Sequence, residues 1–391
     1  MTKHNAQPSG SHPALTRRRS LVQAMAGLAV FGALPAGAQT AAGKNDILIG
    51  RSTALSGGMA PFLAPVHEGQ EAAIEDANAK GGIGGRKIRI VSLDDGFDPR
   101  RTLENARQLS EKDGVVALLG VSGTSQVMAL LPYLVEAKLP LIGVYTGSPA
   151  IRAQQHPYLF TTRASYADEL VKIVRNLVAV QTSRIAVAYE NNDFGKLLLP
   201  LVEKTIAAEG ATLAGSHAIA PTGADANDAA KALAAQKPQA VLLVAAGPPV
   251  VAYVRANRAH LGVPVYTLSL GAGSAVLKAL GDDARGLAVA RTGPSPTKPT
   301  IALTRDFQAS MKRHDKPVDY DRYTGYMDAR VLIEGLRAAG PGVTRASLVQ
   351  AMEGLGNLDL GGYSYQFSPQ NHHGSNYVDI AVVGSGGVYR Q

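Results

Sequence analysis

Residues 118–151 read LLGVSGTSQVMALLPYLVEAKLPLIGVYTGSPAI, and the reading of the chain follows from one device that this stretch contains twice. In each copy a short apolar run ends in a turn of small residues that opens a helix. The run at 115–119 gives way to Gly120-Val121-Ser122-Gly123-Thr124-Ser125, after which 126–138 has a helical pattern. The run at 139–144 gives way to Tyr145-Thr146-Gly147-Ser148-Pro149. A helix N-terminus carries N–H groups without intrahelical partners and a partial positive charge, and small or hydroxylated residues there let an anion approach. In an open parallel sheet, two such turns on neighbouring strands lie at the same edge, where ligands bind. The pattern therefore predicts a cleft that receives a carboxylate rather than a catalytic centre. Ser and Thr are also ordinary helix caps and Gly is an ordinary turn residue, so one such loop by itself reads as capping. The repetition is what points to a site.

Around this stretch, strand and helix patterns alternate. Residues 46–53 form an expected strand followed by Ala54-Leu55-Ser56-Gly57-Gly58, then a helix over 66–80 closed by Gly81-Gly82, a strand at 87–93 and a helix over 101–112. Further on, strands at 184–189, 240–244 and 263–268 are each followed by a helix, at 194–209, 249–260 and 274–280. Such alternation implies right-handed crossovers and parallel sheets covered by helices. The strands are too many for one comfortable sheet, and crossings between two lobes are expected near 160–163, 288–294 and 376–378. The middle crossing runs into Gly293-Pro294-Ser295-Pro296-Thr297-Lys298-Pro299, whose prolines preclude regular structure. Residues 320–339 read as a long helix ended by Gly340-Pro341, while 361–367 and 377–383 alternate like antiparallel strands. The expected fold is α/β, with two Rossmann-like lobes of mostly parallel sheet joined by a three-crossover hinge. Residues 45–162 plus 291–375 form the first lobe, and 163–290 plus 376–391 the second.

At 391 residues, 46% hydrophobic and 18% charged, the chain has room for two cores and an ordinary globular composition. Residues 1–38 stand apart: Arg17-Arg18-Arg19-Ser20-Leu21-Val22 leads into an apolar run ending at Leu34, then Pro35-Ala36-Gly37-Ala38. This is the pattern of an export signal cleaved before Gln39. A membrane anchor would need roughly 20 apolar residues, and the run is shorter and diluted by Gln23 and glycines. Arg18-Arg19-Ser20-Leu21-Val22 resembles the twin-arginine signal, with Arg17 where Ser or Thr is usual. The leader holds Lys3 and three arginines and no acid, so the net charge of +8 becomes 8 − 4 = +4 without it. No other basic run exists, which removes the support for nucleic acid as a partner. The chain has no cysteine, excluding disulfides, Cys-ligated zinc, thiol catalysis and a lipoprotein anchor.

Enzyme motifs are missing where they could be expected. Gly120-Val121-Ser122-Gly123-Thr124 breaks the G-x-S-x-G elbow at its last position, and Gly84-Gly85-Arg86-Lys87 is followed by Ile88 rather than the Ser or Thr of a phosphate loop. The first strand ends without G-x-G-x-x-G. Asp94 and Asp95 are adjacent in an extended run and point to opposite faces, so they read as turn formers. His372 and His373 lack the spacing that chelates a metal on a helix and read as surface or loop residues. A binding protein without catalytic residues, cofactor or metal is the economical reading.

Several stretches in order resemble one family. Leu55-Ser56-Gly57, Asn78-Ala79-Lys80-Gly81-Gly82-Ile83-Gly84-Gly85, Leu93-Asp94-Asp95-Gly96-Phe97-Asp98-Pro99, Pro140-Leu141-Ile142-Gly143 and Tyr189-Glu190-Asn191-Asn192-Asp193-Phe194-Gly195 are similar to type I periplasmic solute-binding proteins of the branched-chain amino acid group. These are the extracytoplasmic receptors of ABC importers, whose two lobes close like a Venus flytrap. The resemblance implies a periplasmic monomer that takes a small carboxylate or amino-acid-like ligand to a membrane permease. It matches Ser122 to the first-lobe serine that binds the ligand carboxylate, in a turn shared with Gly123 and Thr124. Thr146 and Gly147, beside Tyr145, fall in the second carboxylate loop. Phe62 and Phe194 stand where relatives carry cleft tyrosines. Leu270 occupies the place of the acid that holds a ligand ammonium, which predicts preference for a plain carboxylate over its α-amino counterpart. Glu190 and Asp193 could supply a replacement acid, or form a solvated loop that caps the next helix. A sensory module for a chemoreceptor or histidine kinase, and a secreted hydrolase, are the other functions open to this fold.

Overall fold

Two open sheets with the same internal strand order carry the architecture. The structure is a computed structural model and describes residues 46–153, 155–387 and 389–390; the export signal expected over 1–38 lies outside them. The first sheet contains β1 (Ile47–Thr53), β2 (Ile88–Asp94), β3 (Ala117–Leu119), β4 (Leu141–Ile142) and β5 (Leu159–Phe160), all parallel in the order β2-β1-β3-β4-β5. The second begins with β6 (Arg184–Glu190), β7 (Thr212–Ile219), β8 (Ala240–Val244), β9 (Val265–Thr267) and β10 (Ala288–Arg291), parallel in the order β7-β6-β8-β9-β10. After a separate hairpin of β11 (Gly356–Asp359) and β12 (Ser364–Phe367), β13 (Asp379–Val383) and β14 (Tyr389–Arg390) extend that sheet antiparallel beyond β10. In each parallel set the strand order reverses beside the first strand, between β1 and β3 and between β6 and β8. Such reversals leave a crevice at the carboxyl ends of the strands.

Helices cover both faces of each sheet. They are α1 (Ala60–Ala79), α2 (Pro99–Glu111), α3 (Thr124–Glu136), α4 (Pro149–Arg152), α5 (Tyr166–Ala179), α6 (Asp193–Ala208), α7 (Ala226–Ala234), α8 (Pro248–His260), α9 (Ser274–Leu280), α10 (Ala302–Arg313), α11 (Tyr320–Ala339) and α12 (Arg345–Glu353). The period of two along a strand sorts the core. Ile47, Ile49, Ala117 and Leu119 pack with Ala72 and Ala73 of α1 and Leu332 of α11, whereas Leu118 and Leu141 pack with Leu109 of α2 and Leu130 of α3. In the second sheet Ile185, Val187 and Leu242 meet α5 and α6, while Ala186, Val241 and Leu243 meet α7 and α8. Among the described residues no helix is long and apolar enough to cross a membrane.

The chain passes between the sheets three times, after β5, after β10 and after β12. Thr161 and His373 join two of these passages in an isolated parallel bridge, with Gly374 N–H donating to Thr161 O at 2.8 Å. His372 is buried here rather than on the surface. Its ring stacks on Phe160 at 4.1 Å and its Nε2 lies 3.2 Å from Glu353 Oε1.

Two local expectations need correction. Helix α1 begins at Ala60, not 66, because Pro61 falls in its first turn, where a missing N–H costs nothing. The turn after β4 opens only the single-turn α4, since the chain then bends back into β5 beside β4. The two tail strands are antiparallel as their alternation implies, β12 pairing with β11, and β13 with β10 and β14. Asp94 and Asp95 do bind separate turns: Asp94 accepts from the Leu55 and Ser56 N–H groups, and Asp95 from Ser52 Oγ and Thr102 Oγ1.

Candidate functional site

The two reversals face each other across a cleft of about 310 Å³. Met59 and Phe62 reach it from the turn and helix after β1, the Ser122 turn from β3 and Tyr145 from β4. Opposite them stand Glu190 and Phe194 after β6, Gly247 after β8, and Leu270 after β9. Phe62 crosses the gap and packs against the second sheet's core, so the lobes are closed on one another.

The first turn is not built as a cap. Helix α3 starts at Thr124, two residues before the expected start, and no side chain caps it. Ser122 and Thr124 are both buried, and among the described residues the Ser122 hydroxyl makes only a 3.4 Å bond to Gly120 O. The hydroxyl groups and first-turn N–H groups can therefore serve an anion. The neighbouring turn is joined to it by the Ser122–Tyr145 bridge, with Tyr145 N–H donating to Val121 O at 2.9 Å.

Thr146 and Gly147 lie behind the cleft wall rather than in it. Thr146 Oγ1 is 3.0 Å from Thr124 Oγ1 and takes the Ser148 N–H at 3.3 Å. Gly147 packs against the start of α5: its carbonyl accepts from Tyr166 N–H at 2.7 Å, and a Cβ there would stand 2.9 Å from the Tyr166 ring. The other expected residues, Ser122, Gly123, Thr124, Tyr145, Phe62, Phe194, Glu190 and Leu270, all line the cleft.

Among the described residues, acids but no bases line this space. Glu190, Asp193 and Asp321 line it, and none of the lining residues is Lys, Arg or His. Glu190 is only 7% exposed; it takes Asn192 Nδ2–H at 2.8 Å and Ala246 N–H at 3.2 Å, and burial pushes its carboxyl up to about 7 against the pull of that N–H. The capping role weighed for this loop belongs to Asn192, whose side chain accepts from Gly195 N–H at 3.0 Å. With leucine at 270, the acids that face the cleft come from other elements: Glu190 at the end of β6, Asp193 at the start of α6 and Asp321 in the first turn of α11.

Leu270 itself sits on a short 3₁₀ turn, Ser269–Ala272, fastened from behind. Ser269 donates through N and Oγ to the two Glu169 oxygens at 2.7 and 2.8 Å, Arg163 donates to Ser269 Oγ, and Arg291 donates to Ser269 O and Ala272 O. Sequence reading missed these residues, together with Met59, Phe97, Tyr166 and Asp321. Asp321 is the most consequential: at the second position of α11 it accepts from Tyr145 OH at 3.2 Å and from Ser274. Among the described residues no group of His, Cys, Asp or Glu gathers as a metal site.

Comparison with known proteins places this geometry. The family model described as "Periplasmic binding protein" matches residues 46–387. The chain is 26% identical over 160 residues to the Leu/Ile/Val-binding protein of Escherichia coli K12; the matched stretch spans 41% of this chain and 43% of the relative, so it covers about two fifths of that protein's length. Among solved structures it is similar to a substrate-binding periplasmic protein from Ralstonia solanacearum, at 32% identity, TM-score 0.81 and coverage of 88% of this chain and 99% of that one. An extracellular ligand-binding receptor from Verminephrobacter eiseniae aligns at 25% identity and TM-score 0.81, over 88% and 100% of the two chains.

Proposed function

Because the chain belongs to the periplasmic binding protein family, in its type I branched-chain amino acid group, we propose that it captures a small organic carboxylate or amino-acid-like solute between its lobes and presents it to the permease of an ABC importer. The observation that carries this reading is the closed cleft at two facing strand-order reversals, with an uncapped helix N-terminus on one wall and a buried acid on the other. The ligand carboxylate seats on Ser122, Gly123 and Thr124, its apolar body lies against Phe62, Phe194 and Leu270, and hinge closure of the two lobes buries it. Export of the chain, with residues 1–38 removed, and action as a periplasmic monomer belong to the same proposal.

Glu190 favours the amino-acid-like end of that range. A buried carboxylate without a basic neighbour gains most from a ligand that brings its own ammonium. The sign with pH follows. An ammonium pairs with the charged acid, so affinity for an amine-bearing solute falls as pH drops below about 7 and Glu190 takes up a proton. A plain acid shows the reverse, gaining affinity as Glu190 is neutralised.

The test is a thermal-shift panel of matched pairs, such as leucine with 4-methylpentanoate and phenylalanine with 3-phenylpropanoate, at pH 5.5 and 8. A solute present at about 100 times its Kd is expected to add about 2.7 kcal/mol of stability. Amino members should win at pH 8 and lose ground at pH 5.5, and Glu190→Gln should abolish that pH dependence. Stabilisation by plain acids alone would remove Glu190's role, and stabilisation by none of the small carboxylates would remove the ligand class.

A further inference from the structure

We propose that Phe97 is a specificity-determining residue of the cleft, selecting a solute that bears an aryl ring over a branched aliphatic one of similar length. This preference rests on the solute capture proposed for the cleft. Phe97 lies in the loop between β2 and α2, where the Asp98 N–H donates to Asp95 O at 2.9 Å. The two residues inside that turn, Gly96 and Phe97, have φ of 56° and 65°. Positive φ at both central positions favours Gly or Asn, and a bulky side chain there is strained. Among the described residues four others besides glycine have positive φ: Lys138, Gln181, Lys237 and Asp315. All four are polar and lie two or three positions past a helix end, where a left-handed residue is a common stop. Phe97 ends no helix.

Buried partners hold this conformation from both sides of the residue. Asp95 Oδ1 accepts the Phe97 N–H at 2.9 Å, and Gln126 Nε2–H donates to Phe97 O at 2.7 Å; Asp95 and Gln126 are 1% and 3% exposed. The ring, by contrast, joins none of the hydrophobic clusters on either sheet; it is half-buried and lines the cleft. Its tip reaches the carboxylate seat, since a Cβ at Gly123 would stand 3.0 Å from Phe97 Cζ. A strained backbone held in place by its surroundings, with its side chain turned to a cleft instead of a core, points to a role in what the cleft contacts. Three of the chain's seven phenylalanines, Phe62, Phe97 and Phe194, face this space, and the Tyr166 ring stands edge-on to Phe194 at 5.6 Å. Ring-to-ring contacts favour an aromatic ligand beyond the area that it buries. Phe97 supplies such a wall beside Ser122–Thr124, where the carbons next to the solute carboxylate lie.

The test is calorimetric Kd values for phenylalanine against leucine and for 3-phenylpropanoate against 4-methylpentanoate, measured on the parent protein, Phe97→Gly and Phe97→Leu. The parent should bind the aryl member of a pair more tightly, and each variant should lower that preference by roughly 2- to 10-fold. Phe97→Leu keeps apolar bulk without a ring, so loss in both variants assigns the preference to the ring. Phe97→Gly should keep or raise the melting temperature, because glycine takes a positive φ without strain. A purely structural role predicts the opposite, a lower melting temperature with the aryl preference unchanged. A parent that prefers the aliphatic member, or a preference that either variant leaves intact, overturns the inference and leaves solute capture standing. Binding of none of the four solutes overturns both.

Discussion

Glu169→Ala is expected to cost about 3–5 kcal/mol of unfolding free energy, the loss typical of breaking a buried ion pair from one side. Glu169 and Arg163 have side chains 0% and 4% exposed, 3.8 Å apart, on the first passage between the lobes and the helix that follows it. Removing the acid leaves the guanidinium buried without its counter-charge. Arg163 Nε and Nη1 lack a hydrogen-bond partner among the described residues, and what remains around the guanidinium is the Ser269 hydroxyl, the face of the Tyr145 ring at 4.9 Å and the charge of Asp328. The same change frees the Ser269 N–H and hydroxyl, both of which donate to Glu169. The turn that places Leu270 in the cleft should therefore loosen, and solute affinity should fall with stability. Glu169→Gln keeps oxygen for one Ser269 bond and should cost less. Chemical denaturation of the three proteins measures this; a loss under 1 kcal/mol for the alanine variant would mean that water reaches Arg163.

Ser122→Ala should raise Kd by roughly 10- to 150-fold, because a hydrogen bond to a charged carboxylate is worth about 1.5–3 kcal/mol. Folding should barely register the change. The Ser122 hydroxyl makes one long bond, to Gly120 O at 3.4 Å, and caps nothing. Thr146→Ala should act differently, since Thr146 lies behind the cleft wall and reaches the cleft only indirectly, through Thr124 and Tyr166. Its effect on Kd should be smaller, and a double-mutant cycle should show Thr124 and Thr146 coupled by their 3.0 Å contact, with Ser122 and Thr146 additive within about 0.5 kcal/mol. Equal losses for Ser122→Ala and Thr146→Ala would put both hydroxyls on the ligand and contradict the geometry.

The contrast between these residues shows what the chain's pattern can carry. The Ser122 turn was legible because its elements are local: an apolar strand, small residues, and a helix of 3.6 period, all within a few positions. The same local logic suggested a helix after Tyr145-Thr146-Gly147-Ser148, but the return to β5 stops it at one turn. The repeated turn pattern and the resemblance both put Thr146 and Gly147 with the ligand, while their packing against Thr124 and Tyr166 depends on how α5 docks. Asp321 was invisible for a related reason. The pattern over 320–339 gives that helix its full length, yet nothing in its periodicity says that its first turn meets Ser274 of the other lobe. Glu190 was readable as a strand-end acid, and only the fold decides that its neighbour Asn192, not Glu190, does the capping.

The central claim is that the cleft captures a small carboxylate solute and releases it unchanged. Calorimetric titration of the panel's most stabilising solute into the purified protein, followed by recovery and analysis of that solute, tests it most directly. One binding site per chain, chemically intact solute, and affinity weakened in Ser122→Ala by at least roughly tenfold are the predicted results. Solute consumed during incubation, or binding that Ser122→Ala leaves unchanged, would contradict it.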